Sequence, residues 1–213
     1  MKVLAILSQK GGVGKTTLAT CLAVAAEADG KAAVVLDLDP QATATFWRDN
    51  REAETPAVSS LQASRLAVTL QAAAKGGADL AIIDGAAVAR EVAYMAAQHA
   101  DFVLIPTKSA VFDTMSMTHT LEVVNQLNKP AAVVLTFVSP QGKETADAFD
   151  AMGQLGVNVC PSTIGNRKAF FRAQEQGRAA QEYEPNGAAA REIAALYEYM
   201  HIKLYGDAKE PTR

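Results

Sequence analysis

The chain predicts an α/β protein built on a doubly wound, mostly parallel sheet with helices on both faces. Three observations carry that expectation. Short aliphatic or β-branched runs recur along the 213 residues, most of them without polar alternation, as in strands buried on both faces. Longer stretches suited to helices separate them, which gives a βα series. A glycine-rich segment stands at the first junction, directly after an apolar run and directly before a helix.

Taken in order, Val3 to Leu7, Ala33 to Leu38, Leu80 to Ile83, Phe102 to Ile105, Ala131 to Phe137 and Val157 to Val159 read as strands. Thr16 to Asp29, closed by Gly30 as a C-cap, reads as the first helix. Ser116 to Leu127, Glu144 to Leu155, Lys168 to Gln176 and Ala188 to Leu204 read as the others. Asp49 to Ser60, DNREAETPAVSS, reads as a polar connecting loop, because Pro56 blocks a continuous helix there. No internal repeat or low-complexity tract interrupts the series.

With 49% hydrophobic residues the chain can bury a full core, and one domain spanning residues 1–213 is expected. A formal net charge of -3 excludes a surface that seeks nucleic acid everywhere, so any such contact needs a local patch. Cys21 and Cys160 form neither a metal spacing nor a disulfide framework, which suits a reducing cytoplasm. The first apolar run is too short for a signal-peptide core, and nothing approaches the roughly 18 apolar residues of a membrane span. His99, His119 and His201 lack helical partners and read as ordinary helix residues, and Met115 and Met117 as packing on a helix face.

The chemistry starts at KGGVGKTT, Lys10 to Thr17. Gly11, Gly12 and Gly14 let backbone N–H groups approach an anion at a positive helix end, with Val13 completing the cradle. Lys15 can reach β and γ phosphates, the Thr16 hydroxyl is placed to ligate Mg²⁺, and Thr17 falls by the α phosphate. The usual spacing asks for glycine at position 9, where this chain has Gln9, so the loop is a variant.

Two acidic segments follow. In VVLDLDPQATATFW, Asp37 and Asp39 are two residues apart and share a side while the strand lasts. A carboxylate there, beside a phosphate loop, can orient an attacking water. In ADLAIIDGAAVARE, the apolar run ends in Asp84, a Walker B arrangement whose carboxylate can hold the water shell of Mg²⁺.

Together these segments resemble the ParA/MinD family of P-loop ATPases. KGGVGKTT is similar to its deviant Walker A motif, and DLDPQ to its DxDPQ signature. The resemblance implies that Lys10 reaches across a nucleotide-sandwich dimer to the partner's phosphates. It also implies that Asp39 positions water, and that Asp37 makes Mg²⁺ or loop contacts. Asp84, Gly85, Ala86 and Ala87 replace the frequent D-T-P-P and resemble the small ParF-like plasmid members, where Gly85 leaves room for the γ phosphate or for a loop that moves with it. In IPTKSAVFDTMSMTHTLEVV, Pro106 matches the proline after the next strand, and Asp113 is either a helix N-cap or a dimer contact. Many relatives carry an asparagine for the adenine where this chain has Leu135, Thr136 and Phe137. That leaves the base to backbone groups near Val138 to Gln141 or Pro161 to Ile164.

By this resemblance the protein is a partition ATPase that uses ATP and Mg²⁺ and forms an ATP-dependent homodimer or a higher polymer. The ATP form binds non-specific DNA, associates with the nucleoid and releases when a ParB-like adaptor stimulates hydrolysis. No N-terminal helix-turn-helix is expected. TIGNRKAFFRAQEQGRAAQE supplies a basic patch of Arg167, Lys168, Arg172 and Arg178, with Phe170 and Phe171 as core anchors. The patch is either a solvated helix face or a phosphate-backbone contact. Relatives also position chemoreceptor clusters, carboxysomes or conjugative DNA-transfer complexes. A MinD-like membrane switch needs a basic amphipathic C-terminus; YEYMHIKLYGDAKEPTR has Asp207, Glu210 and Pro211 and few cations, so no membrane partner is expected.

Overall fold

The computed structural model describes residues 1–85, 90–109, 111–139, 144–154 and 156–206, with the backbone alone for 111–116 and 144. The chain runs β1 (Lys2–Ile6), α1 (Lys15–Ala28), β2 (Ala33–Asp37), α2 (Thr43–Asp49), β3 (Ala57–Ser60), α3 (Leu66–Lys75) and β4 (Leu80–Asp84). It continues through α4 (Arg90–His99), β5 (Phe102–Lys108), α5 (Val111–Gln126), β6 (Ala131–Thr136), α6 (Glu144–Gln154), α7 (Lys168–Glu175), α8 (Ala180–Tyr183) and α9 (Ala188–Tyr205).

These strands form one sheet in the order β3-β2-β4-β1-β5-β6, every pairing parallel. From β1 the chain first builds outward on one side and then on the other, so the order reverses at β1. A crevice at the carboxyl ends of the strands opens at such a switch point. The register delivers Ile6, Asp84 and Asp37 to the same level of that edge, since Ile6 pairs with Asp84 and Asp37 with Asp84.

The apolar runs still obey the two-residue period of a strand. Leu4 and Ile6 of β1 pack with Leu18 and Leu22 of α1 and Ile193 and Leu196 of α9 on one face. Val3, Ala5 and Leu7 pack with Leu70, Ala96, Val123 and Met152 on the other. Both faces are covered, which is why so few polar residues interrupt the strands.

Several expected boundaries move. The supposed loop Asp49 to Ser60 ends in a strand, β3, whose Ala57 to Ser60 pair with Val34 to Asp37 of β2. Its alternation is nearly all polar or exposed because it is the sheet's edge. The expected strand Val157 to Val159 makes only a single bridge, Val133 to Val159. Cys160 still donates to the Val133 carbonyl and Ile164 to that of Leu135, but Pro161 between them has no N–H to continue a ladder. Strand β6 ends at Thr136, since Phe137 has φ +54. Strand β5 runs on through Pro106. The Val103 N–H faces β6, so even positions face β1, and β1 has ended where the missing N–H of Pro106 falls. Helices α2, α3, α4 and α8 were not anticipated.

Helix α2 is clasped to the turn before α8. The buried Trp47 indole donates to the Arg178 carbonyl at 3.0 Å. The Arg51 guanidinium, 5% exposed, forks onto Glu182 at 2.7 and 2.8 Å and lies 4.8 Å from the Trp47 ring. Gly177 is required between them: it has φ +62, and a Cβ there would stand 2.4 Å from the Arg51 nitrogen. This clasp fixes the far end of the segment that begins at Asp39.

Candidate functional site

The glycine loop leaves β1 at the switch point and turns into α1. Gly12 and Gly14 sit at φ +69 and +91, conformations that a side chain disfavours, and Gly14 caps α1 by accepting the Leu18 N–H at 2.9 Å. The first-turn N–H groups of α1 have no intrahelical acceptor and gather at the positive end of the helix dipole. Lys15, 7% exposed, folds back so that its ammonium donates to the Lys10 carbonyl at 3.2 Å. Burial lowers the Lys15 pKa, and the charges of Asp84 and Asp39 oppose that shift. The buried Thr136 hydroxyl donates to the Val13 carbonyl at 3.0 Å and latches the loop to the end of β6. Lys10 lies half-buried at the start of the loop, its N–H against the Ser8 hydroxyl at 3.4 Å.

Asp84 and Asp37, neighbours in register, are treated differently. Asp37 is wholly buried, and its two oxygens accept the N–H groups of Asp39 at 2.9 Å and Ala44 at 3.0 Å. Burial raises its pKa while these N–H groups hold it back. Of the two uses expected for Asp37, the geometry shows the loop contact. Asp39 is only part-buried beyond the end of β2, with one oxygen accepting the Gln41 N–H at 2.9 Å. The turn it opens passes through Ala42 at φ +50, a left-handed position without glycine, which the Asp37 cap and the α2 clasp hold in place.

Asp84 is 1% exposed, and neither carboxylate oxygen has a hydrogen-bond donor among the described residues. Burial pushes its pKa up to about 7 against the pull of the Thr16 hydroxyl, which is near enough to act on the charge without reaching hydrogen-bond geometry. The Asp37 charge adds to the rise and the Lys15 ammonium opposes it. An orphaned buried carboxylate beside a threonine hydroxyl at the mouth of a phosphate loop is an all-oxygen donor set of the kind Mg²⁺ takes, so these residues fit that ion. A stability consequence follows. An unfolded aspartate titrates near about 3.9, so the stability this group contributes is complete below that pH and is lost as pH rises through about 7. In the ligand-free protein Asp84→Asn should therefore gain on the wild type as pH rises. The gain is on the order of 1.4 kcal/mol per pH unit at its steepest, read by urea unfolding from pH 4 to 8.

At Gly85 a Cβ would stand 2.5 Å from Leu7 Cδ2 and 3.0 Å from the Ile6 carbonyl, so the missing side chain lets the end of β1 pack closely. Ala86, Ala87 and Gln141, the side chains of Asp113 and Met115, and Asp207, Glu210 and Pro211 lie outside the described residues. Met117 is buried as expected, and among the described residues no three or more His, Cys, Asp or Glu side chains gather where they could hold a metal ion. A narrow cleft opens beside Gly14 and Thr17, walled by Phe137, Ile164 and Phe171.

Two of the four cations in the basic patch have partners within the chain. Arg167 is paired with Glu192 at 2.8 Å, and Arg178 donates to the Glu182 carbonyl and lies over the Tyr183 ring. Lys168 and Arg172 are exposed one turn apart on α7, and Arg178 is exposed as well. Phe170 is a core residue, but Phe171 is 55% exposed. The Thr136 latch and the Arg51–Glu182 clasp were not visible in the sequence, because each joins residues more than a hundred positions apart.

A parallel doubly wound sheet with a glycine loop at its switch point, a buried lysine and a Walker B carboxylate defines a P-loop nucleotide-binding protein. Residues 4–180 match the CobQ/CobB/MinD/ParA nucleotide binding domain, and the chain belongs to that family. It is 31% identical over 97% of its length to the maintenance of carboxysome distribution protein A of Gloeobacter kilaueensis, covering 95% of that protein. It is 27% identical to Protein ParA of Rhizobium radiobacter, over 98% of this chain and 99% of the other. In fold it is similar to the septum site-determining protein MinD of Pyrococcus horikoshii complexed with Mg-ADP. The TM-score is 0.80 at 18% identity, over 96% of this chain and 99% of that one.

Proposed function

We propose that this protein is a ParA-type partition ATPase whose ATP-bound dimer holds non-specific DNA and lets go on hydrolysis. The observation that carries the reading is the buried, unpartnered Asp84 carboxylate beside Thr16 and Lys15 at the glycine loop. The loop N–H groups and Lys15 bind the phosphates of ATP, and Thr16 and Asp84 would hold Mg²⁺, which when bound would supply positive charge against the phosphoryl charge that develops. Asp39, at the open edge of the crevice, orients water for attack on the γ phosphorus, yielding ADP and inorganic phosphate. Lys10 of the partner subunit supplies positive charge in trans, so that triphosphate both closes the dimer and readies it for hydrolysis.

The test is Asp39→Ala. It should bind ATP with near wild-type affinity, lose hydrolysis by at least about a hundredfold, and accumulate as a dimer with ATP. Normal turnover in that variant would remove Asp39 from the role.

On DNA, the reading narrows to Lys168 and Arg172, since Arg167 and Arg178 are engaged within the chain. Two cations per protomer make four in a two-fold dimer, for an expected slope of log affinity on log salt of roughly -3 to -4. Arg172→Glu should abolish binding of the ATP form at physiological salt in a fluorescence-anisotropy titration. Unchanged binding would place the DNA surface elsewhere.

A second cargo is favoured by the 31% identity to a carboxysome-distribution protein. The same ATP cycle on DNA would then position a carboxysome-like body in place of a plasmid. Stimulation of hydrolysis by a partner that itself binds DNA favours the plasmid, whereas a partner that binds the body and not DNA favours the second cargo.

A further inference from the structure

The sequence lacks an asparagine at the end of β6, which leaves open what reads the base. The cavity that begins where the phosphate loop ends supplies an answer, and the inference rests on the nucleotide reading above. Gly14, Thr17 and Leu18 form one wall, so a nucleoside whose phosphates lie on the loop is directed toward it. The opposite wall is aromatic. Phe137, held at φ +54, packs against Gly14, its Cε2 3.6 Å from where a Cβ would be. Its ring centroid is 6.3 Å from that of Phe171, which is largely exposed.

The polar side chains on the described lining are Thr17, Thr136, Arg167 and Gln174. Thr17 stands by the phosphates. The Thr136 hydroxyl is spent on the loop carbonyl, and Arg167 points Nε and one terminal nitrogen at Glu192, at 3.0 and 2.8 Å. Arg167 offers donors only, whereas Gln174 carries an amide acceptor and is anchored through its nitrogen. Its Nε2 donates to the Thr20 hydroxyl at 2.8 Å. The one hydroxyl hydrogen of Thr20 is already directed at the carbonyls of Thr16 and Thr17, at 3.0 and 3.2 Å. Thr20 so placed accepts from Gln174, and turning the amide over would require the hydroxyl to leave those carbonyls. With its nitrogen on Thr20, the amide atom Gln174 has left for a ligand is its oxygen.

We propose that Gln174 is the base-reading residue of this protein, its Oε1 accepting an N–H from the 6-amino group of an adenine that lies against Phe137 and Phe171. A 6-oxo purine would set its carbonyl against that oxygen, and the Thr20 contact favours the amide orientation that keeps the nitrogen away. A pocket built around one fixed acceptor rejects the base that lacks the donor.

The test is a comparison of dissociation constants by titration calorimetry, with Mg²⁺, for ATP, for purine riboside 5′-triphosphate and for inosine 5′-triphosphate. The wild type should prefer ATP by roughly 3- to 10-fold over the triphosphate without a 6-substituent. Its preference over the 6-oxo analogue should be larger. In Gln174→Leu the first ratio should fall to within about 2-fold of unity. In Thr20→Val, which leaves the cavity lining intact, the freed amide can rotate, so inosine triphosphate should gain on ATP several-fold. A wild type indifferent to the 6-substituent, a ratio unchanged in Gln174→Leu, or no relative gain in Thr20→Val overturns the assignment while leaving the ATPase reading in place. Failure of the wild type to bind any of the three overturns both.

Discussion

Lys15→Ala is expected to abolish ATP binding. The ammonium is the cation held inside the glycine loop, 7% exposed, with Asp84 and Asp39 acting on it. A charge-assisted contact to phosphate is worth about 1.5 to 3 kcal/mol, and contacts to both the β and γ phosphates put the loss at about 3 to 6 kcal/mol, two to four orders of magnitude. The deletion also leaves two carboxylates facing an incoming polyanion without a counter-charge. Arginine should not rescue it, because a planar fork does not fit the niche of a compact ammonium. Titration with a non-hydrolysable ATP analogue, alongside a thermal melt to show an intact fold, reads the effect. Affinity retained within a few fold of wild type would refute the phosphate-loop assignment.

Lys10→Ala should separate two events that Lys15→Ala abolishes together. Lys10 precedes the first glycine, and its link to the phosphate-binding lysine runs through its carbonyl, which any residue supplies. Monomeric affinity for ATP should therefore stay within a few fold. Dimerisation should not survive. One lost charge-assisted contact per subunit, applied twice by two-fold symmetry, weakens the dimer by about 3 to 6 kcal/mol, again two to four orders of magnitude. Hydrolysis and DNA binding, which the reading makes properties of the dimer, should fall with it.

What the sequence revealed and what it hid divide along a physical line. Strands β1, β2, β4, β5 and β6 were legible because both faces are buried and the runs stay apolar, and the loop because glycine, lysine and threonine stand in one contiguous order. Edge strand β3 was not, since half of its surroundings is solvent and Ala57 to Ser60 carry no apolar period. Helix α2 hid behind a polar N-terminus capped from a distance by Asp37. In the site, Asp84 and Asp39 could be named from their motifs, but that Asp37 spends both oxygens on backbone N–H groups depends on how the turn closes. The division of the basic patch was likewise invisible, because Glu192 lies 25 residues from Arg167 and carries no local signal. Pairings made by the tertiary fold are the ones a one-dimensional pattern cannot show.

The central claim is that triphosphate, held on the Lys10 to Thr17 loop, assembles two copies of this chain. Sedimentation velocity of the wild type at micromolar concentration, with Mg²⁺ and either a non-hydrolysable ATP analogue or ADP, tests it most directly. The account predicts a dimer with the triphosphate analogue and a monomer with ADP. The same sedimentation coefficient with both nucleotides, whether monomer or dimer, would contradict it.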